Sequence, residues 1–181
     1  ADGSIVVVES VSGVDVGTER VWRNAEDCRL PRVIFVNKMD RPDIDLDSVM
    51  EQIRERFGRQ AVPLQHPLNH GEGFSEIIDI VKMKLFSYTD GKTSETDISS
   101  AHETAVQQLR EQLVEAVAES DEALMEKYFE EGGLDQEELE EGLRKAVLNL
   151  EVFPVLFGDS YNAVGMDRLL DTVVGYFPSP S

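Results

Sequence analysis

Cysteine is almost absent. Cys28 is the only one in 181 residues, which excludes a disulfide framework and a thiolate-built zinc site. Histidine is nearly as scarce, and His66, His70 and His102 have no carboxylate or cysteine at ligand spacing. No stretch is long and apolar enough to cross a membrane, and no signal peptide opens the chain, so a cytoplasmic setting is expected. Cationic residues are few: 17 Lys and Arg stand against 36 Asp and Glu, a formal net charge of −19. Non-specific binding to nucleic acid or to an anionic membrane needs net positive charge at the contact; neither is expected here, whereas a basic protein partner is compatible. Finally, no Gly-x-x-x-x-Gly-Lys-[Ser/Thr] run occurs, so the usual backbone nest and lysine for phosphates are missing.

What is present is a chain of ordinary apolar content, 41%, long enough to bury a core as one domain or two small ones. Ser4 to Glu9 reads as a strand, and its consecutive apolar residues call for cover on both faces. Gly17 to Asp27 reads as a helix, with Val21, Trp22 and Ala25 at helical spacing. Arg32 to Val36, β-branched and apolar after Pro31, is the next strand. Strand, helix, strand of this size predicts a right-handed βαβ crossover with parallel strands. Near the other end, Val152 to Phe157 predicts a third strand, and Gly165 to Phe177 a helix with Met166, Leu169, Leu170, Val173 and Val174 on its apolar face. The intervening stretch opens with a helix over Asp47 to Phe57. Three antiparallel strands follow, at Ala61 to His66, Glu76 to Val81 and Met83 to Tyr88, with turns at Asn69 to Gly73 and at Asp90-Gly91. Three helices come next. The first is opened by the capping box Ser100-Ala101-His102-Glu103, the second carries Leu124 and Tyr128 inward, and the third is capped by Asp135 to Glu138.

Asn37-Lys38-Met39-Asp40 stands directly after the second strand, at the edge where open α/β sheets hold their ligands. Its chemistry suits guanine. Asp40 can accept from the ring N–H and the exocyclic amine together, a pair adenine lacks. Asn37 can bond the base and steady the loop, and the stem of Lys38 can lie along the purine.

The motifs Ala1-Asp2-Gly3, Glu19-x-x-Trp22, Val36 to Arg41, Asp79-x-x-Lys82-Met83-Lys84, Glu115-Ala116, Asp121-Glu122-x-Leu124-Met125-Glu126-Lys127-Tyr128 and Tyr176-Phe177-Pro178-Ser179-Pro180 resemble elongation factor G, of the translational GTPase family. The resemblance runs from end to end and implies a fold class. That class is α/β: a partial P-loop-type GTPase domain of three parallel strands with flanking helices, carrying an inserted α+β subdomain. Residues 1–46 and 151–177 would form the GTPase part, 47–150 the insertion, and 178–181 the start of a linker to a next domain.

The resemblance implies a ribosomal translocase-like GTPase of protein synthesis, binding GTP or GDP, with Mg²⁺ in the full-length protein. The phosphate loop, the switch threonine and the Asp-x-x-Gly motif with its histidine have no counterpart here. A fragment that hydrolyses nothing is therefore expected, with no catalytic or metal-ligating residue of its own. The family's last guanine motif, Gly-Ser-Ala-aromatic-Lys, corresponds to Gly158-Asp159-Ser160-Tyr161-Asn162. Asp159, Ser160 and Tyr161 thus join Asn37, Lys38 and Asp40 as candidate base contacts. Asp159 is a departure from the pattern, since its carboxylate would repel the base carbonyl if it pointed inward.

By the same resemblance the partners are the ribosome and its stalk protein, with the acidic insertion as docking surface. Residues 101–150 hold fourteen acidic and four basic residues; Glu111, Glu115, Glu119 and Glu122, at i, i+4, i+8 and i+11, are the candidate partner contacts. The bland alternative is a set of solvated helix faces. Within the family, a ribosome-protection or release-factor-type GTPase is the other reading; outside it, an acidic protein-binding module without nucleotide function. The first strand would also lack its phosphate-loop neighbour, and its bare edge is expected to self-associate.

Overall fold

The structure, a computed structural model, describes residues 1–179; Pro180 and Ser181 of the expected linker lie outside the described residues. The chain runs β1 (Ser4–Glu9), α1 (Val16–Asp27), β2 (Arg32–Asn37), α2 (Leu46–Phe57), β3 (Ala61–Pro63), β4 (Gln65–Pro67), β5 (Glu76–Asp79), β6 (Lys84–Thr89), β7 (Lys92–Thr96), α3 (Ser100–Ala118), α4 (Glu122–Glu131), α5 (Gln136–Leu148), β8 (Phe153–Phe157) and α6 (Met166–Tyr176). Two sheets result. One has the order β1-β2-β8-β3, with every neighbouring pair parallel; the other, β4-β5-β6-β7, is antiparallel throughout.

The expected count of three parallel strands is therefore one too few. Ala61–Pro63 was expected to open the antiparallel sheet and instead pairs in parallel with β8. The chain changes sheets at Leu64, whose N–H donates to the Val155 carbonyl at 3.1 Å and whose carbonyl accepts from Ile80 N–H at 2.9 Å. Prolines at 63 and 67 bracket this step and deny the backbone a donor there. The buried side chain of Gln65 takes the next ladder position, accepting from Phe157 N–H at 2.9 Å. The fourth antiparallel strand, β7, is polar and wholly exposed, so no alternation marked it in the sequence.

Strand parity divides the core. On β2, Val33 and Phe35 face one way, toward Val62, Ile80, Val106, Leu113, Val117, Leu139, Leu143 and Leu169. Ile34 and Val36 face the other way, toward Val6, Val8, Trp22, Val49, Ile53 and Phe57. Helices α1 and α2 thus cover one face of the parallel sheet, and α2 and β3 pack with that sheet although they were expected within the insertion. Trp22 stacks on Phe57 at 4.1 Å between centroids and meets Phe153 edge-on at 4.9 Å.

Three expected faces differ. On α1 the buried residues are Thr18, Trp22 and Ala25; Val21 sits on the flank, half exposed. On α6 Leu169 and Thr172 are buried, whereas Leu170 and Val174 point outward. Ile5 and Val7 of β1 are likewise exposed, so only the Val6–Val8 face of this strand is covered. The cap of α3 falls one residue early, at Ser99, which makes no side-chain cap bond. At α5 the expected box is complete, with Asp135 accepting from Glu138 N–H and the Glu138 carboxylate accepting from Asp135 N–H.

Candidate guanine-recognition site

Strands β1, β2 and β8 point the same way, and their carboxyl ends bring three loops together. Glu9 ends β1 and Ser10 follows it, Asn37 ends β2 and Lys38 to Arg41 follow it, and Gly158 to Gly165 follow β8. This is the ligand edge of a parallel sheet. The register Glu9↔Asn37 sets the first two side by side.

The β2 loop turns sharply at Lys38, whose φ of +62° is uncommon for a residue with a Cβ. Neighbouring bonds hold it there. The Lys38 carbonyl accepts from the fully buried Ser10 hydroxyl at 2.7 Å and from Arg41 N–H at 3.1 Å. Its ammonium pairs with the Glu9 carboxylate at 2.7 Å. Hydrogen bonds from Lys38 and then Ser12 hold the Glu9 carboxyl below the usual glutamate range. Neither Ser10 nor Glu9 stood out in the sequence as a site residue. Their only signal is position, at the end of a strand that stops at the carboxyl edge of the sheet.

Asn37 reaches across to the β8 loop. Its Oδ1 accepts from Ser160 N–H at 2.9 Å, and its Nδ2 donates to Ser160 Oγ at 3.0 Å. Two of the expected base contacts, 123 residues apart in sequence, are thereby fastened into one surface. Met39, fully buried, donates its N–H to the Gly158 carbonyl at 3.2 Å. Asp40 is partly exposed and makes no side-chain hydrogen bond or ion pair among the described residues, so both carboxylate oxygens stay available as acceptors.

Asp159 does not project from its loop. It is buried, and its carboxylate folds into its own loop, accepting from Tyr161 N–H at 3.0 Å and from the Asn162 amide. Its backbone exchanges two bonds with Val164, at 2.9 and 3.0 Å. Asp159 is therefore a loop-former, and the expected repulsion of the base carbonyl does not arise from this orientation. Tyr161 is 92% exposed. Gly158 allows the three loops to close, since a Cβ there would stand 2.6 Å from both Phe35 Cζ and the Val164 carbonyl oxygen.

The four candidate docking glutamates are all exposed, but they do not share one helix. Glu111 and Glu115 lie on α3, Glu119 is its C-cap, and Glu122 begins α4 after the turn. Glu115 accepts from the Tyr128 hydroxyl at 3.3 Å, joining the two helices. Tyr128 and Leu124 are only partly buried, and α4 has no fully buried residue. Beside Tyr128, Phe129 is 77% exposed.

These loops and this sheet have counterparts. The family model of the elongation factor Tu GTP binding domain matches residues 1–179. A crystal structure of a protein from Thermus thermophilus is 33% identical, with a TM-score of 0.90 over 99% of this chain. This chain spans 27% of the length of that protein. The fold and a family model that agree over nearly every residue place the chain in one group: it belongs to the elongation factor Tu GTP binding domain family, and with it to the translational GTPases.

Proposed function

We propose that this chain supplies guanine recognition, together with a docking surface for a basic partner, to a ribosomal translocase-like GTPase. The observation that carries the first part is the Asn37–Ser160 fastening beside an unengaged Asp40 carboxylate. In this reading Asp40 accepts from the ring N–H and exocyclic amine of guanine, and Lys38 lies along the base. Ser160 and Tyr161 line the same edge, with Asp159 shaping their loop. These residues hold the base of GTP or GDP; the phosphates and Mg²⁺ would be held by residues supplied from elsewhere.

The docking surface is the acidic side of α3 and α4. Glu111, Glu115, Glu119 and Glu122 offer exposed carboxylates, and Phe129 of α4 is exposed next to Tyr128, which bonds Glu115, a combination suited to a cationic partner with an apolar anchor. The ribosomal stalk protein is the partner the resemblance suggests. Leu64, bonded to both sheets, is our choice for the start of the insertion, which returns to the parallel sheet at β8. The unpaired edge of β1, with Ile5 and Val7 exposed beside it, is the surface through which two copies of this chain would associate.

The test is base discrimination. Chemical-shift titration of the chain with guanosine and with adenosine should show binding of guanosine alone, confined to residues 37–41 and 158–162. Asp40→Asn should abolish the preference, because the amide replaces one of the two acceptors with a donor. Equal response to both nucleosides would refute the guanine reading. Ribosome-stimulated GTP turnover by the full-length gene product would separate a translocase-like protein from one that binds guanine nucleotide alone.

A further inference from the structure

The guanine loops are held from a side that neither the motif nor the parallel sheet explains. The turn between β4 and β5 reaches back to the motif itself, where Gly71 N–H donates to the Met39 carbonyl at 2.8 Å. That carbonyl belongs to the peptide plane that also carries the Asp40 N–H. Met39 is thus bonded on both sides, through its N–H to Gly158 and through its carbonyl to Gly71. Asn69 stiffens the turn that makes this possible. Its Nδ2 donates to the Gly73 carbonyl at 2.9 Å, and its Oδ1 accepts from Ser75 and Glu76 N–H at 3.3 and 3.2 Å. Phe74, at the end of the turn, is buried in the same cluster as Met39 and Val164.

The antiparallel sheet holds the β8 loop as well. The Tyr88 hydroxyl of β6 donates to the Asp167 carboxylate at 2.7 Å, just after Gly165. The Arg168 guanidinium lies 4.2 Å from the Phe86 ring centroid. At Gly165, with a φ of +78°, an added Cβ would stand 2.6 Å from the Phe157 carbonyl oxygen and 3.0 Å from Ile77 Cδ1. The loop's exit is therefore pressed directly against β5. Burial, and then the hydrogen bond to Asp167, keep the Tyr88 hydroxyl protonated well above its usual range, so this contact persists across ordinary pH.

We propose that the antiparallel sheet is a positioning element of the guanine site, with Tyr88 and Asn69 as positioning residues acting through Asp167 and through Gly71. The inference rests on the guanine reading for its function and on geometry alone for its mechanical part. Lys38 holds an uncommon backbone conformation, and the bonds from Arg41 to Lys38 and from Met39 to Gly158 restrain the motif turn from the side of the parallel sheet. The insertion supplies the second side.

Site-resolved amide hydrogen exchange on the whole chain tests the mechanical part without any ligand. Tyr88→Phe should speed exchange at Asp159 and Val164 about tenfold, the scale of one lost hydrogen bond to a charged acceptor. Asn69→Ala should do the same at Met39 and Gly71. In both variants the β2 amides should keep their protection. Asp167→Asn, which keeps an acceptor oxygen for Tyr88 but loses the charge, should speed exchange less than Tyr88→Phe does. Unchanged protection of the loops in either variant overturns the proposal, as does uniform acceleration that includes β2. Guanosine titration then reads the functional part: both variants should raise its dissociation constant at least about threefold. Normal guanosine affinity with loosened loops would overturn the positioning role. Absence of guanosine binding by the wild-type chain would instead overturn the guanine reading, leaving the exchange result to decide the mechanical claim.

Discussion

Replacing Gly158 by alanine should damage both the stability of this chain and the geometry of the loops at the carboxyl edge of its parallel sheet. The added Cβ would stand 2.6 Å from Phe35 Cζ and 2.6 Å from the Val164 carbonyl oxygen, each well inside van der Waals contact. Neither neighbour can withdraw cheaply. Phe35 is buried in the core shared with α3, α5 and α6, and Val164 is tied to Asp159 by two backbone bonds. Moving Gly158 instead would disturb its bonds to Val36 and Met39. Overpacking of this kind costs about 1–3 kcal/mol, and two simultaneous clashes place this site near the upper end. A loss of about 2.5 kcal/mol lowers the folding constant by roughly two orders of magnitude. Urea unfolding followed by far-UV circular dichroism should show the midpoint falling by about 1 M for a typical m-value. Gly175→Ala is the matched control. It lies in α6 with nothing within 4 Å of its added Cβ, and should gain about 0.5 kcal/mol from reduced chain entropy. A loss below about 0.5 kcal/mol at Gly158, within the spread of surface substitutions, would refute the close-packing argument.

Asp79 offers a test by pH. Burial raises its carboxyl above the ordinary 3.8, against the hydrogen bonds it accepts from Lys82 and Val81 N–H. A raised acid binds its proton more tightly when folded, so its contribution is full below 3.8 and is lost as pH rises through the folded value. Asp79→Asn keeps an oxygen for both amides, and its stability advantage over wild type should grow as pH rises from about 4. Parallel stability curves from urea titrations would contradict this. Self-association through β1 should appear in light scattering at high concentration and increase with salt, which screens the −19 charge. Val7→Lys, which places a charge on the exposed strand beside the bare edge, should restore a monomer. A monomeric wild type at all concentrations and salts would end that proposal.

Much of the parallel sheet was legible along the chain. Strand β2 announces itself by its apolar, β-branched run between Pro31 and the Asn-Lys-x-Asp motif, and the sequence places that motif at the strand's carboxyl end without any tertiary knowledge. The α5 capping box is equally local. Legibility failed where neighbouring residues served two sheets. Leu64 and Gln65 bond across to β8 and to the β5 region, and nothing in their immediate sequence distinguishes a strand that continues from one that changes partners. The outward turn of Leu170 and Val174 was hidden for a similar reason, since periodicity reports which residues share a face but not whether another element covers it.

Local chemistry therefore determined most of the elements and the residue types at the carboxyl edge of the parallel sheet, because periodicity, caps and short motifs act within a few residues. Only the tertiary structure decided that Ser10 holds Lys38 and that Asn37 fastens Ser160. It alone turned Asp159 into its own loop and set Gly71 and Tyr88 against the site from the far sheet. Most of those partners are separated by tens of residues or more along the chain. Their bonds depend on how two sheets stack, and short-range pattern carries no information about that.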